Sequence, residues 1–135
     1  MKRILFVCEG NICRSPMAEW LANATLSGVQ AESAGFRGGE PMTRHSVTLL
    51  REHLGVDASS YASRNVGDVG VADFDVIVAL HPYIAGRLRD EFGIEADVVW
   101  EVPDPFGTAI DGYRVTFAQI EGAMAALAVE IGAGR

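Results

Sequence analysis

The chain alternates short apolar segments with amphipathic ones, and this alternation constrains the fold more than any other feature of the sequence. Apolar runs typical of buried strands lie at residues 3–7, 29–34, 74–80 and 97–102. Helical spacing of apolar residues begins near residues 15, 43 and 82 and recurs over residues 113–131. Residues 57–70 are polar and predict a loop with a short turn. The pattern predicts an α/β fold in three layers, with a four-stranded parallel sheet and helices on both faces.

The length and composition agree with one folded unit. A chain of 135 residues that is 49% hydrophobic can bury a sizeable core, so we expect a single domain over residues 1–135. The formal net charge of −7 and the isoelectric point near 4.8 argue against nucleic acid or an anionic membrane surface as a partner.

The first predicted strand runs into a short loop with the features of an anion-binding nest. The strand ends at Cys8, at the sheet edge where open α/β folds bind their ligands. Gly10 and Asn11 tolerate left-handed backbone angles, so the loop can curl and turn successive N–H groups inward. A helix is predicted to begin at Ser15 and Pro16, and its positively polarised end points at the loop. We therefore expect this loop to bind phosphate.

A thiol and a guanidinium frame the loop, because five residues separate Cys8 from Arg14. Inward-facing amides favour the thiolate, which is the nucleophilic form of cysteine. The planar fork of Arg14 can hold two phosphoryl oxygens, which lysine cannot do. The spacing alone also fits a small buried residue at a strand end and a solvated arginine. Together with the strand before and the helix after, it indicates a cysteine-dependent phosphatase.

The apolar runs, the cysteines and the histidines indicate where in the cell the protein works and whether it binds a metal or a cofactor. No apolar run approaches membrane length, and residues 4–8 are too few for a signal-peptide core. Two cysteines without a secretion signal indicate a reducing compartment, so we expect a cytoplasmic protein. With three scattered histidines and no Cys-x-x-Cys pair, we expect neither a metal site nor a cofactor.

Residues 6–19, FVCEGNICRSPMAE, resemble the phosphate-binding loop of the low-molecular-weight protein tyrosine phosphatases. The resemblance continues through residues 33–35, 39–41 and 73–79, and so covers nearly the full chain. It implies the strand order 2-1-3-4. It also implies that Asn11 braces the loop and that Ser15 hydrogen-bonds the Cys8 sulfur. The phosphate-binding residues would be Glu9, Gly10, Asn11, Ile12, Cys13, Arg14 and Ser15, although Glu9 departs from the uncharged residue that the family usually has.

A second motif, VPDPFG at residues 102–107, resembles the general-acid loop of the same family. A leaving alkoxide or phenoxide needs a proton, which Asp104 can donate. The prolines on either side stiffen the loop and help to keep the carboxyl aimed. An Asp-Pro pair alone is a common turn element, but together with the Cys8 loop it indicates the acid.

These parts predict hydrolysis of phosphotyrosine, or of another aryl phosphate, in two steps. Cys8 attacks phosphorus while Asp104 protonates the leaving oxygen, and the ionised Asp104 then activates the water that hydrolyses the phosphocysteine. The loop amides and Arg14 neutralise the charge, so no metal ion is required. We expect a monomer that acts on a phosphorylated protein or a small aryl phosphate.

Three departures from the family bear on the substrate rather than on the chemistry. Only residues 36–38 lie where the family usually has a longer segment with Trp or Tyr walling the pocket; either Phe36 replaces that wall or the pocket is open there. Phe106 stands where many members carry Tyr. Leu80 and His81 stand where the family often has Met-Asp, and we interpret His81 as a surface residue or a helix cap.

Three other functions share parts of this pattern. Protein-arginine phosphatases carry Thr where this loop has Ile12, and an apolar side chain suits an aromatic leaving group better. Thiol-linked arsenate reductases need further cysteines to pass oxidation outward, whereas this chain has only Cys8 and Cys13. A non-catalytic phosphate-binding or redox-sensing module would have no need of the acid at Asp104.

Cys13 lies in the same loop as the predicted nucleophile, and two interpretations are open. It can capture an oxidised Cys8 as a disulfide, since a closed loop brings the two sulfurs together. Alternatively, it only fills a small space behind the loop.

Overall fold

Four strands and four α-helices alternate along residues 1–132, the part of the chain that the computed structural model describes. The strands are β1 (Lys2–Val7), β2 (Val29–Ala34), β3 (Val76–Ala79) and β4 (Val98–Val99). The helices are α1 (Arg14–Thr25), α2 (Arg44–Leu54), α3 (Pro82–Phe92) and α4 (Ile110–Ile131). Two 3-10 turns, Val66–Asp68 and Val71–Asp73, precede β3.

The strands form one parallel sheet in the order β2-β1-β3-β4, which confirms the predicted architecture and strand order. In this register Val7 pairs with Ala34 on one side and with Ala79 on the other. The three strands therefore end together, and the loops that follow them meet at one edge of the sheet.

Helices cover both faces of the sheet, because the buried side chains of β1 alternate between two clusters. Ile4 and Phe6 pack with residues of α1, α2 and α4 on one face. Leu5 and Val7 pack with residues of α3 on the other face. All four side chains are fully buried, and burial of each stabilises the fold by about 1.5–3 kcal/mol.

Some predicted boundaries differ from those in the structure. β4 has two residues instead of the predicted 97–102, although the N–H groups of Trp100 and Val102 still donate to the carbonyls of Ala79 and Leu80 over 2.8 and 2.9 Å. The chain thus follows β3 while it turns towards residue 104. β3 is likewise shorter than predicted, and α4 begins three residues before residue 113.

The helix ends follow local chemistry. α1 begins at Arg14, one residue before the predicted start, and Pro16 lies in its first turn, where a missing N–H costs nothing. α2 and α3 end at Gly55 and Gly93, whose left-handed φ angles of 68° and 66° suit glycine. Within residues 1–132, no helix combines the length and the apolar character needed to cross a membrane.

Candidate active site

The loop between β1 and α1 curls around the side chain of Asn11. Asn11 has a φ of 57° and is the one non-glycine residue with positive φ within residues 1–132. Its Oδ1 accepts hydrogen bonds from the Tyr61 hydroxyl at 2.6 Å and from the Arg64 backbone N–H at 2.8 Å. Its Nδ2 donates to Ser15 Oγ at 2.8 Å. Three residues from two parts of the chain, α1 and the loop after α2, therefore hold Asn11 in a conformation that few side chains tolerate.

Two glycines, one in the loop and one beside it, lie very close to other parts of the chain, and at Gly35 the neighbour is backbone that cannot easily shift. The sequence suggested that the loop curls through left-handed backbone angles at Gly10 and Asn11. In the structure only Asn11 has such an angle, and Gly10 does not. Instead, the Nη2 atom of Arg37 lies 2.7 Å from the point that a Cβ of residue 10 would occupy. At Gly35, after β2, a Cβ would lie 2.8 Å from the backbone nitrogen of Asn11. Each glycine thus lets another part of the chain lie directly on the loop.

Cys8 lies at the base of the loop and is almost fully buried. Its Sγ is 2.9 Å from Ser15 Oγ, and the Ser15 N–H donates to the same sulfur at 3.5 Å. The Cys8 N–H is bound to the carbonyl of Ala34 at 3.2 Å, which fixes the backbone. Donors that face the sulfur stabilise a negative charge on it more than a neutral thiol.

The backbone N–H groups of residues 9 to 14 belong to the loop that follows this thiol and to the start of α1. In the hydrogen bonds of the described part of the chain, none of these six groups is a donor to a protein acceptor. They belong to the curled loop and to the first turn of α1, where helix geometry offers no partner. Unpaired amides at a helix N-terminus suit an anion.

Arg14 connects the loop to the segment after β4. Its side chain is only 5% exposed, and its Nη1 donates to the carbonyl of Val102 at 2.9 Å. Its Nη2 lies 3.6 Å from Oδ2 of Asp104, whereas its buried Nε has no hydrogen-bond partner. A buried donor without a partner is costly, so this edge of the guanidinium calls for an acceptor such as a phosphoryl oxygen.

Asp104 reaches the loop from the far end of the sequence. Its carboxylate accepts the N–H of Phe106 through Oδ1 at 3.0 Å, and its side chain is 44% exposed. The structure thus brings Asp104 to the pocket that holds Cys8 and Arg14.

These residues line a small, partly open pocket of about 70 Å³. It suits a small group such as phosphate and is lined by Cys8, Glu9, Gly10, Ile12, Cys13, Arg14, Arg37, Asp104 and Phe106. Asn11 and Ser15, which were also predicted to bind phosphate, support the loop from behind.

Two lining residues differ from what the sequence suggested. Glu9 is bound by Arg87, whose Nη1 lies 3.0 and 3.1 Å from the two carboxylate oxygens, so its charge is neutralised beside the pocket. The Arg87 guanidinium also lies 3.9 Å above the ring of Phe36. Phe36 is therefore held outside the pocket, and Arg37 lines it instead.

Cys13 faces α4 from the loop. Its Sγ is 3.4 Å from the Tyr113 hydroxyl, and burial raises the pKa of the Cys13 thiol to about 11. Cys13 is therefore a neutral thiol near neutral pH, and both cysteines are unpaired. Next to it, Ile12 lines the pocket with an apolar side chain.

A buried polar network extends from Asn11 and was not predicted from the sequence. The Tyr61 hydroxyl lies 2.9 Å from Ser33 Oγ, which donates to Glu19 at 2.6 Å. Burial raises the pKa of Glu19, while the Ser33 hydroxyl and Arg64 partly oppose that effect. These residues lie far apart in the chain, and each alone looks like an ordinary polar residue.

His81 caps a helix, as the sequence suggested. Its Nδ1 accepts the N–H of Tyr83 at 3.1 Å at the start of α3. It lies in a neighbouring groove that shares Glu9, Arg14 and Asp104 with the pocket, but it does not line the pocket itself.

A thiol, an amide loop and a guanidinium at the carboxyl edge of a parallel sheet define a cysteine-dependent phosphatase. Residues 3–134 match the model of the family described as low molecular weight phosphotyrosine protein phosphatase, and the chain belongs to that family. Its members are cysteine-dependent phosphoric monoester hydrolases, so this chain is an enzyme of that class.

The similar proteins support the same assignment. A low molecular weight protein-tyrosine-phosphatase of Bacillus subtilis, YfkJ, is 35% identical over 130 residues, which cover 80% of this chain and 83% of the relative. A low molecular weight protein tyrosine phosphatase structure from T. tengcongensis has a TM-score of 0.84 and 27% identity, over 96% of this chain and 99% of its own. The YwlE arginine phosphatase from Geobacillus stearothermophilus has a TM-score of 0.82 and 28% identity, over 98% and 94%.

Proposed function

We propose that this enzyme hydrolyses phosphotyrosine in proteins, or similar aryl phosphates, with Cys8 as nucleophile, Arg14 as phosphate clamp and Asp104 as general acid and base. The observation that carries the proposal is the guanidinium of Arg14. Its Nη1 is bound to Val102 and its buried Nε has no partner, and Arg14 lines the same pocket as Cys8 and the loop. A dianionic phosphoryl group satisfies all of these donors at once.

The two chemical steps follow from the positions of these groups. The Cys8 thiolate forms a bond to phosphorus while the bond between phosphorus and the leaving oxygen breaks, and Asp104 gives that oxygen its proton. Asp104 then takes a proton from water as the water oxygen attacks phosphorus and the S–P bond breaks. Inorganic phosphate leaves, and the thiolate is regenerated. The hydrogen bond from Ser15 stabilises this thiolate each time it forms.

The walls of the pocket favour an aromatic over a guanidinium leaving group. Ile12 and Phe106 offer apolar surface to a phenyl ring. Arg37, in contrast, places a positive charge at the rim, where the guanidinium of phosphoarginine would be repelled. We therefore rank phosphotyrosine above phosphoarginine, despite the structural likeness to an arginine phosphatase.

The positions of the two cysteines argue against arsenate reduction. Both lie in the phosphate loop, which leaves no further cysteine to carry oxidation away as a thiol-linked arsenate reductase requires. Free thiols also fit the cytoplasmic location that we propose. We further propose a monomer, with no nucleic-acid partner, because the net charge is −7.

The test compares one peptide sequence carrying phosphotyrosine, phosphoserine or phosphoarginine, with arsenate plus a thiol reductant as a fourth substrate. We expect the purified enzyme to release phosphate from the phosphotyrosine peptide with the highest kcat/KM. A higher kcat/KM for the phosphoarginine peptide would contradict the proposal. Cys8→Ser serves as the control for a contaminating phosphatase.

A further inference from the structure

The short segment after β2 places a positive charge at the mouth of the pocket. The ring of Phe36 is held on the outer side by stacking on Phe92, with ring centroids 6.0 Å apart, and by Arg87. Arg37 is the one residue of positions 36–38 that lines the pocket.

The guanidinium of Arg37 lies beside the phosphate loop, and its N–H groups remain available to a ligand. Its Nη2 lies 2.7 Å from the point that a Cβ of residue 10 would occupy. Its Nε lies 3.2 Å from Oε2 of Glu40, and its side chain is 59% exposed. In the part of the chain that the structure describes, no hydrogen bond uses the N–H groups of Arg37, so this fork can still receive an anion.

The route of the substrate brings its neighbouring residues to this position. On the proposed function the phosphoryl group binds between Cys8 and Arg14, which are both buried, so the tyrosine ring extends towards the exposed lining residues, which include Phe106 and Arg37. The peptide that carries the tyrosine then crosses the rim. Arg37 and Arg14 are the two cations among the lining residues, and the buried Arg14 faces the phosphate.

We propose that Arg37 is a specificity residue that binds an acidic side chain next to the phosphotyrosine of a peptide substrate. The inference rests on the proposed function. Arg37 does not take part in the chemistry, and it selects among phosphotyrosine sites by the charge of their neighbours. Glu40 competes with the substrate for the same guanidinium, which keeps the preference modest.

The test uses two phosphotyrosine peptides that differ only in having Glu or Gln on both sides of the phosphotyrosine. The readout is the ratio of their kcat/KM values, because a general effect of a substitution on rate cancels in it. We expect the wild-type enzyme to prefer the Glu peptide by about threefold to fivefold at low salt, as for an exposed ion pair, and less at high salt. Arg37→Gln should bring the ratio close to one, and Arg37→Lys should retain part of it.

Two further variants sharpen the result. Glu40→Gln removes the competing carboxylate and should raise the ratio above that of wild type. Arg89→Gln removes an exposed charge that pairs with Asp90 and does not line the pocket, so the ratio should stay at the wild-type value. A wild-type ratio near one, or an unchanged ratio in Arg37→Gln, would overturn the inference. Failure of the proposed function would look different, since the wild-type enzyme would then hydrolyse neither phosphotyrosine peptide.

Discussion

Arg14 is bonded to the carbonyl oxygen of Val102, 88 residues further along the chain, through a 2.9 Å hydrogen bond from its Nη1. This bond joins the phosphate loop to the segment that carries Asp104. The guanidinium fixes the position of the segment that carries Asp104, and we propose that its remaining edge binds the phosphoryl group.

Arg14→Lys should lower kcat for an aryl phosphate by about 100- to 1,000-fold, as does the loss of a donor that stabilises a transition state. A lysine ammonium cannot bind the Val102 carbonyl and two phosphoryl oxygens together. Steady-state kinetics would measure the loss. Arg114→Lys, at an exposed pair with Glu52, is the control and should retain wild-type rates. A loss of less than tenfold for Arg14→Lys would contradict the assigned role.

Asp104→Asn should slow poor leaving groups far more than activated ones, by about 10²–10⁴-fold for the poorest. A stable phenoxide leaves without a proton, whereas a more basic one requires it. A series of aryl phosphates at constant pH gives the dependence of rate on leaving-group basicity. The same slope for the variant and wild type would exclude Asp104 as the acid.

Glu19 should make the folding stability depend on pH. Because burial raises its pKa above the ordinary 4.5, the folded state holds the proton more tightly than the unfolded state. The buried, protonated Glu19 therefore contributes its full stability below pH 4.5. This contribution is lost as the pH rises through the raised pKa of Glu19. The free energy of unfolding of wild type, relative to Glu19→Gln, should fall as pH increases above 4.5.

Urea unfolding of both proteins across this pH range measures that difference. Glu95→Gln is the matched control, since Glu95 is exposed. Its difference from wild type shows how much pH dependence the replacement of an exposed glutamate produces, and it is subtracted from that of Glu19→Gln. If the free energy of unfolding of wild type relative to Glu19→Gln instead rises with pH, the folded state stabilises the carboxylate of Glu19, which would contradict this prediction.

Cys13 is expected to protect Cys8 from irreversible oxidation. Peroxide converts the Cys8 thiolate to sulfenic acid, and Cys13 can then displace water from it to form a disulfide. Wild type should lose activity to peroxide and regain it with a thiol reductant, with the intact mass lower by two hydrogens. Cys13→Ser should be active at first and then be inactivated irreversibly. If that variant recovers as fully as wild type, Cys13 only fills space beside Tyr113.

Much of the fold could be predicted from local patterns. The apolar run that ends at Cys8, Pro16 in the first turn of a helix and the glycines after α2 and α3 are local signals, and each lies where it was expected. β4 was predicted too long because Trp100 and Val102 keep sheet-like hydrogen bonds after the strand ends. The strand order depends on long-range pairing, and only the family resemblance supplied it.

The site was predictable where one segment carries it and unpredictable where distant segments meet. Residues 8–15 form a single motif, and Asp104 was found through a second one. Tyr61 and Glu19 carry no local signal, because their roles arise only when β2 and the loop after α2 pack beside the phosphate loop. Arg37 was missed as a wall of the pocket because the position of Phe36 depends on Arg87, 51 residues away.

The central claim is that phosphate passes through a covalent bond to Cys8, and rapid acid quenching during turnover of an aryl phosphate tests it most directly. Intact-mass and peptide-mass spectra should reveal one added phosphoryl group on the peptide that contains Cys8, with EDTA present throughout. The same experiment with Cys8→Ser should give no turnover. Turnover by Cys8→Ser, or wild-type turnover abolished by EDTA alone, would contradict the thiolate mechanism.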